Sequence, residues 1–116
     1  MCIFAAKIRS TMIVAFEQEY LRELYEEGKC SDKHHRFQPQ VVRKYTRTID
    51  LMKKLANVMC LTQYVGLHYE ALHGDKAGLS SVRVNDQYRI EFREILEGDK
   101  TIAEVVSITK LSNHYK

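Results

Sequence analysis

Leu67 to Phe92 reads LHYEALHGDKAGLSSVRVNDQYRIEF, and the reading of this stretch decides the fold. His73-Gly74-Asp75-Lys76 and Gly78 form a polar loop in which glycine permits unusual backbone angles and lets a ligand approach the main chain. Leu79 to Val84 then alternates as a short strand, and Asn85-Asp86-Gln87 supplies turn chemistry. In the next strand Tyr88, Ile90 and Phe92 share one parity while Arg89, Glu91 and Arg93 share the other. The spacing predicts a β-hairpin with one buried face and one charged face open to solvent.

Downstream, Leu96 to Lys100 reads as a turn and Thr101 to Thr109 as a third strand, with Ile102, Val106 and Ile108 in alternation. Upstream, Pro39 suits the first turn of a helix expected to run to about Cys60. Val41 or Val42, Tyr45, Ile49, Met52, Ala56 and Met59 recur along it at three- and four-residue steps. Arg43, Lys44, Arg47, Lys53 and Lys54 fall off that stripe and make a basic face, which suits solvent, an acidic docking partner or RNA phosphates. Before it, EQEYLRELYEE (17–27) gives an amphipathic helix closed by Gly28, whose carboxylates read as solvated surface. Met12 to Phe16, MIVAF, reads as an edge strand. Residues 1–11 read either as an extension ahead of a start at Met12 or as a short strand or tail. The order is strand, two helices, then a three-stranded antiparallel meander, an α+β layer with one sheet and its helices on one face.

At 116 residues the chain has the length of one domain and can bury a core without staples. With 45% hydrophobic and 28% charged residues it is ordinary globular material, which excludes a disordered chain. Residues 1–27 hold 3 basic and 5 acidic side chains, so the rest carries 15 basic against 10 acidic and is compatible with a polyanion. Cys2, Cys30 and Cys60 lie far apart without a paired spacing, which argues against a disulfide framework or thiolate metal site and for the cytoplasm. MCIFAAKIRST, interrupted by Lys7 and Arg9, fits neither a transmembrane helix nor a signal peptide. His34 and His35 are adjacent and cannot both face one metal from a helix, so no metal or other cofactor is expected.

The chemistry is expected where the charged hairpin face meets His73 and the closing SNHYK tail. Arg83 shares the parity of Ser81 and Leu79, which leaves its side open. Arginine, histidine, tyrosine and lysine together suit RNA cleavage without a metal: histidine or tyrosine takes the ribose 2′ proton and arginine offsets charge on the phosphate. Histidine titrates near neutrality, whereas tyrosine needs a cationic neighbour to ionise. A wet sheet surface is the plainer alternative.

At MIVAF, the helix pair, EALHGDKAG, SSVRVNDQYRIEF and SNHYK, the chain resembles the HigB-type toxins of the RelE/ParE superfamily. The resemblance covers nearly everything from Met12 to Lys116, and the loop-plus-hairpin string is its most specific part. It implies a ribosome-dependent endoribonuclease that cuts messenger RNA in the 70S A site without a metal, partnered by a helix-turn-helix antitoxin. It places Arg89 on the arginine of the family's WRI motif, as the phosphate-binding or transition-state group. It places His73 where relatives often carry lysine, and His114-Tyr115 where they often read Asp-Tyr-His, so His73, His114 and Tyr115 share the candidacy for general base. Lys76, Arg83, Arg93 and Lys116 are then RNA-binding candidates. A ParE-like gyrase inhibitor and an inactive binding module are the alternatives within the same resemblance.

Overall fold

The computed structural model describes residues 11–99 and 101–113. Five strands, β1 (Ile13–Phe16), β2 (Glu70–Ala71), β3 (Leu79–Arg83), β4 (Arg89–Ile95) and β5 (Val105–Ser112), form one sheet in the order β1-β5-β4-β3-β2. The expected meander is β3, β4 and β5, paired antiparallel. β1 joins the outside of β5 in parallel, with Ile13 opposite Val105 and Phe16 opposite Ile108, and the short β2 adds a fifth strand beside β3. Helices α1 (Glu19–Glu27) and α2 (Pro39–Lys54) cover one face.

The core lies between them. Leu21, Leu24, Tyr45, Ile49 and Met52 from the helices cluster with Val82, Ile90, Phe92, Val106 and Ile108 from the sheet, all essentially inaccessible. Each such side chain contributes about 1.5–3 kcal/mol by leaving water, which fixes the inward parity of every strand. Helix α1 ends at Gly28, which takes φ 78° and returns its N–H to the carbonyl of Leu24 at 3.2 Å. A side chain there would strain that left-handed conformation.

The end of α2 and both ends of β5 differ from the expectation by three residues or more, and α1 begins at Glu19, two residues later than expected. Helix α2 stops at Lys54 rather than running to Cys60, because Leu55 turns extended and its carbonyl accepts the Met12 amide at 2.7 Å, pinning the start of β1. Asn57 then caps a separate 3-10 turn, Val58–Gln63, which sends Val58 and Leu61 into the core and leaves Met59 exposed. The last strand begins at Val105 and not at Thr101, since the Ala103 carbonyl is spent on the Val58 amide at 3.0 Å and Ile102 faces solvent. It runs on to Ser112 through an irregularity at Glu91/Phe92, where Thr109 is the extra residue and its hydroxyl donates to the Glu91 carbonyl at 3.1 Å. The expectations about the first ten residues lie outside the described ones.

Tyr45 ties the two helices together: its fully buried hydroxyl donates to the Leu21 carbonyl at 2.8 Å. Burial raises its pKa far above the ordinary 10.0. The unfolded chain therefore loses the phenolic proton first, and stability falls as pH rises above about 10. Tyr45→Phe is expected to cost about 1 kcal/mol at neutral pH and to make the alkaline fall shallower. Urea unfolding at neutral and alkaline pH measures both effects, and an unchanged alkaline slope would contradict the assignment.

Candidate active site on the second sheet face

Opposed residues of an antiparallel pair share a face. The register sets Arg83 beside Arg89, Ser81 beside Glu91 and Glu70, Lys110 beside Glu91, and Ser112 beside Arg89. All lie on the side away from the helices. The expectation that Arg89 and Glu91 stand open to solvent there is overturned: they are 8% and 2% exposed. The segment before β3 folds back across them. A 3-10 turn at Val65–Leu67 ends on His68, the one non-glycine residue with positive φ (45°) among the described residues, and its carbonyl accepts from Arg89 Nη2. Strand β2 follows, and the turn Gly74–Lys76 brings the Lys76 ammonium to 2.7 Å from Glu91 Oε2.

Arg89 is the most constrained cation of this face. Its Nε donates to Ser81 Oγ at 2.8 Å, and Nη2 donates to the Ser81 carbonyl at 3.4 Å and lies 3.6 Å from Glu70 Oε1. Ser81 sits opposite both Glu91 and Glu70 in its two pairings, so the same register that forms the sheet aims the guanidinium. Glu70 itself is 57% exposed at the side chain, leaving a carboxylate at the entrance to a buried arginine.

The remaining candidates divide. Lys76 is brought beside Arg89's strand through Glu91. His73 precedes the same turn and is exposed, and among the described residues no hydrogen bond joins its ring to Arg89. Arg83 faces the same side as Arg89 yet bends away, donating to the Asn85 carbonyl at 3.2 Å and pairing with the exposed Asp86. Like charges directly opposite would repel, and this divergence relieves them. Arg93 pairs with Glu17 at 2.9 Å, farther along the sheet. His114, Tyr115 and Lys116 lie outside the described residues; the last described part of their approach is Ser112, paired with Arg89, and Asn113.

Sequence reasoning missed Glu70 and the burial of Glu91. Glu70 sits in a two-residue strand that shows no alternation, and only the pairing of Glu70 with Ser81 reveals its side. His35, by contrast, has an ordinary structural place: its ring stacks on Tyr20 with centroids 3.7 Å apart and Nδ1 lies 2.8 Å from Asp32 Oδ2.

A five-stranded sheet with two helices on one face is a fold that a solved structure shares. The chain is similar to a YoeB/ParE toxin from Agrobacterium tumefaciens at 19% identity and a TM-score of 0.50, over 90% of this chain and 100% of that one. The family model for the RelE-like toxin of the type II toxin-antitoxin system HigB matches residues 14–106, from β1 into β5. The chain belongs to that family of toxins. A comparison with curated proteins gives no match. Among the described residues no helix is long and apolar enough to cross a membrane.

The ion pairs of this face differ in what breaking them leaves behind. Lys76→Met withdraws the ammonium from a carboxylate that is only 2% exposed, whereas Arg83→Met and Arg93→Met release Asp86 and Glu17 into water. Urea unfolding is expected to show a loss of about 1–3 kcal/mol for the first and at most about 1 kcal/mol for each of the others. Equal losses at all three positions would contradict this ranking.

Proposed function

We propose that this toxin is an endoribonuclease that enters the ribosomal A site and cuts messenger RNA during translation, using side chains alone. The observation that carries the reading is the Arg89 guanidinium, fixed by Ser81 and His68 and faced by the Glu70 carboxylate at 3.6 Å. A cation held in place before the reaction stabilises charge that develops on a phosphate without having to reorganise. Cleavage needs one further group to take the proton from the 2′-hydroxyl as that oxygen attacks phosphorus, and another to protonate the departing 5′ oxygen.

Several groups are available for those steps. Glu70 stands next to Arg89, His73 precedes the turn that carries Lys76, and the tail bearing His114 and Tyr115 departs from the strand paired with Arg89. Phosphates on either side of the cut can exchange for exposed carboxylates: Arg83 would release Asp86 and Arg93 would release Glu17. Lys76 and Lys116 complete the RNA-binding set. The working place is the cytoplasm, where the ribosome is, and the controlling partner is a helix-turn-helix antitoxin of the HigA type.

The test is to induce the chain in a bacterium and map new 5′ ends on cellular messages. Cuts within translated codons are expected, and Arg89→Ala should reduce them on the order of a hundredfold or more. Because the substitution also strips Ser81 and the His68 carbonyl of their donor, a thermal melt must show that the variant is folded at the temperature of the test. Growth arrest with intact messages and damaged DNA would replace this reading with gyrase inhibition. Glu70→Gln separates two roles: a general base loses the acid limb of the rate profile, whereas a group that only holds Arg89 leaves the profile's shape unchanged.

A further inference from the structure

One histidine beside Arg89 belongs to none of the candidate sets. His68 closes the 3-10 turn Val65–Leu67 with its N–H on the Val65 carbonyl at 3.1 Å, and its backbone takes φ 45° and ψ 51°. Leu67 and Tyr69, on either side of it, pack with the core, while His68 itself is exposed. Its carbonyl accepts from Arg89 Nη2, the same nitrogen that lies 3.6 Å from Glu70 Oε1. The ring has no hydrogen bond or ion pair among the described residues, unlike that of His35, which meets Asp32. Left-handed backbone is sterically costly for any residue with a Cβ, and glycine would set the same carbonyl on Arg89 without that cost. Non-glycine residues held this way cluster at functional sites. What histidine adds here is an imidazole, a group that exchanges protons near neutrality, on the residue that also holds the guanidinium.

We propose that His68 is a catalytic residue of the RNA cleavage, the acid that protonates the departing 5′ oxygen. The inference rests on the nuclease reading and supplies the group for its second proton transfer. The 2′-hydroxyl loses its proton to the site's general base as its oxygen bonds to phosphorus. The bond from phosphorus to the 5′ oxygen breaks with its electron pair on that oxygen, which takes the proton of the His68 imidazolium. The products are a 2′,3′-cyclic phosphate and a 5′-hydroxyl, and the neutral imidazole regains a proton from water. Arg89 offsets the charge on the phosphoryl oxygens meanwhile. The charged groups at this position among the described residues are Arg89 on β4 and Glu70 on β2, while Arg83 on β3 turns to Asp86 and Lys76 to Glu91.

Single-turnover cleavage of messenger on programmed ribosomes, with the full chain in excess and across a range of pH, tests it. Glycine and asparagine both tolerate left-handed backbone, so His68→Gly and His68→Asn keep the carbonyl on Arg89 and remove only the imidazole. Each is expected to cut about a hundredfold more slowly with ribosome binding unchanged. Each should also lose the alkaline limb of the parent's rate profile, where the acid is no longer protonated. Thermal melts establish folding, and either variant alone suffices. Cutting at the parental rate would leave His68 only its carbonyl role and overturn the proposal, as would a slower rate whose profile keeps the parent's shape. A parent chain that cuts no message overturns the nuclease reading and this inference together, whereas parental cutting by the variants overturns this inference alone.

Discussion

Strand β5 is held from both sides, in parallel by β1 and antiparallel by β4, and this double pairing organises the molecule. It joins the start of the chain to the meander and seals the core with Val106 and Ile108, both inaccessible to water. It also carries the last described residues past Arg89, because Ser112 is paired with that arginine. Parallel pairing with β1 requires a long crossover, and α1 and α2 supply it while covering the apolar face. The irregularity at Thr109 changes register between the two ends of β5. One end then continues the hydrophobic layer and the other reaches the charged side.

The charged side is a case of polar burial made tolerable by mutual satisfaction. A guanidinium that is 8% exposed and a carboxylate that is 2% exposed would each be costly alone. Arg89 finds Ser81 and the His68 carbonyl, and Glu91 finds Lys76. The segment that covers them also supplies two of these partners, the His68 carbonyl and Lys76, while Ser81 comes from the neighbouring strand β3. These partners hold both side chains in place. The site is also self-neutralised in part, since the Glu70 carboxylate lies 3.6 Å from Arg89 Nη2.

Charge is distributed differently on the two layers. Lys76, Arg83, Arg89 and Arg93 on the sheet side have carboxylate partners, while Lys29, Arg36, Arg43 and Arg47, around the groove where the end of α1 meets the start of α2, form no ion pair among the described residues. A net charge of +3 conceals this difference.

The sequence by itself determined the α+β class, the antiparallel hairpin and the inward set Val82, Ile90 and Phe92, because a period of two leaves no other side for the apolar residues. Parity set Arg89 on one face with Glu91 and Arg93, and only the resemblance of Tyr88-Arg89-Ile90 to the family's WRI motif singled it out from them. The sequence could not say that Arg89 and Glu91 would be buried. Alternation tells which side of a strand a residue takes, but not whether another segment will cover that side. Nor could it end α2 at Lys54: the apolar spacing continues to Met59, and only the demand of Met12 for the Leu55 carbonyl shows why the helix stops. Glu70 and the groove were equally illegible, since each arises from residues distant in sequence meeting across a pairing or a helix crossing. Local periodicity fixed the faces; long-range hydrogen bonding and burial decided which of them meet water.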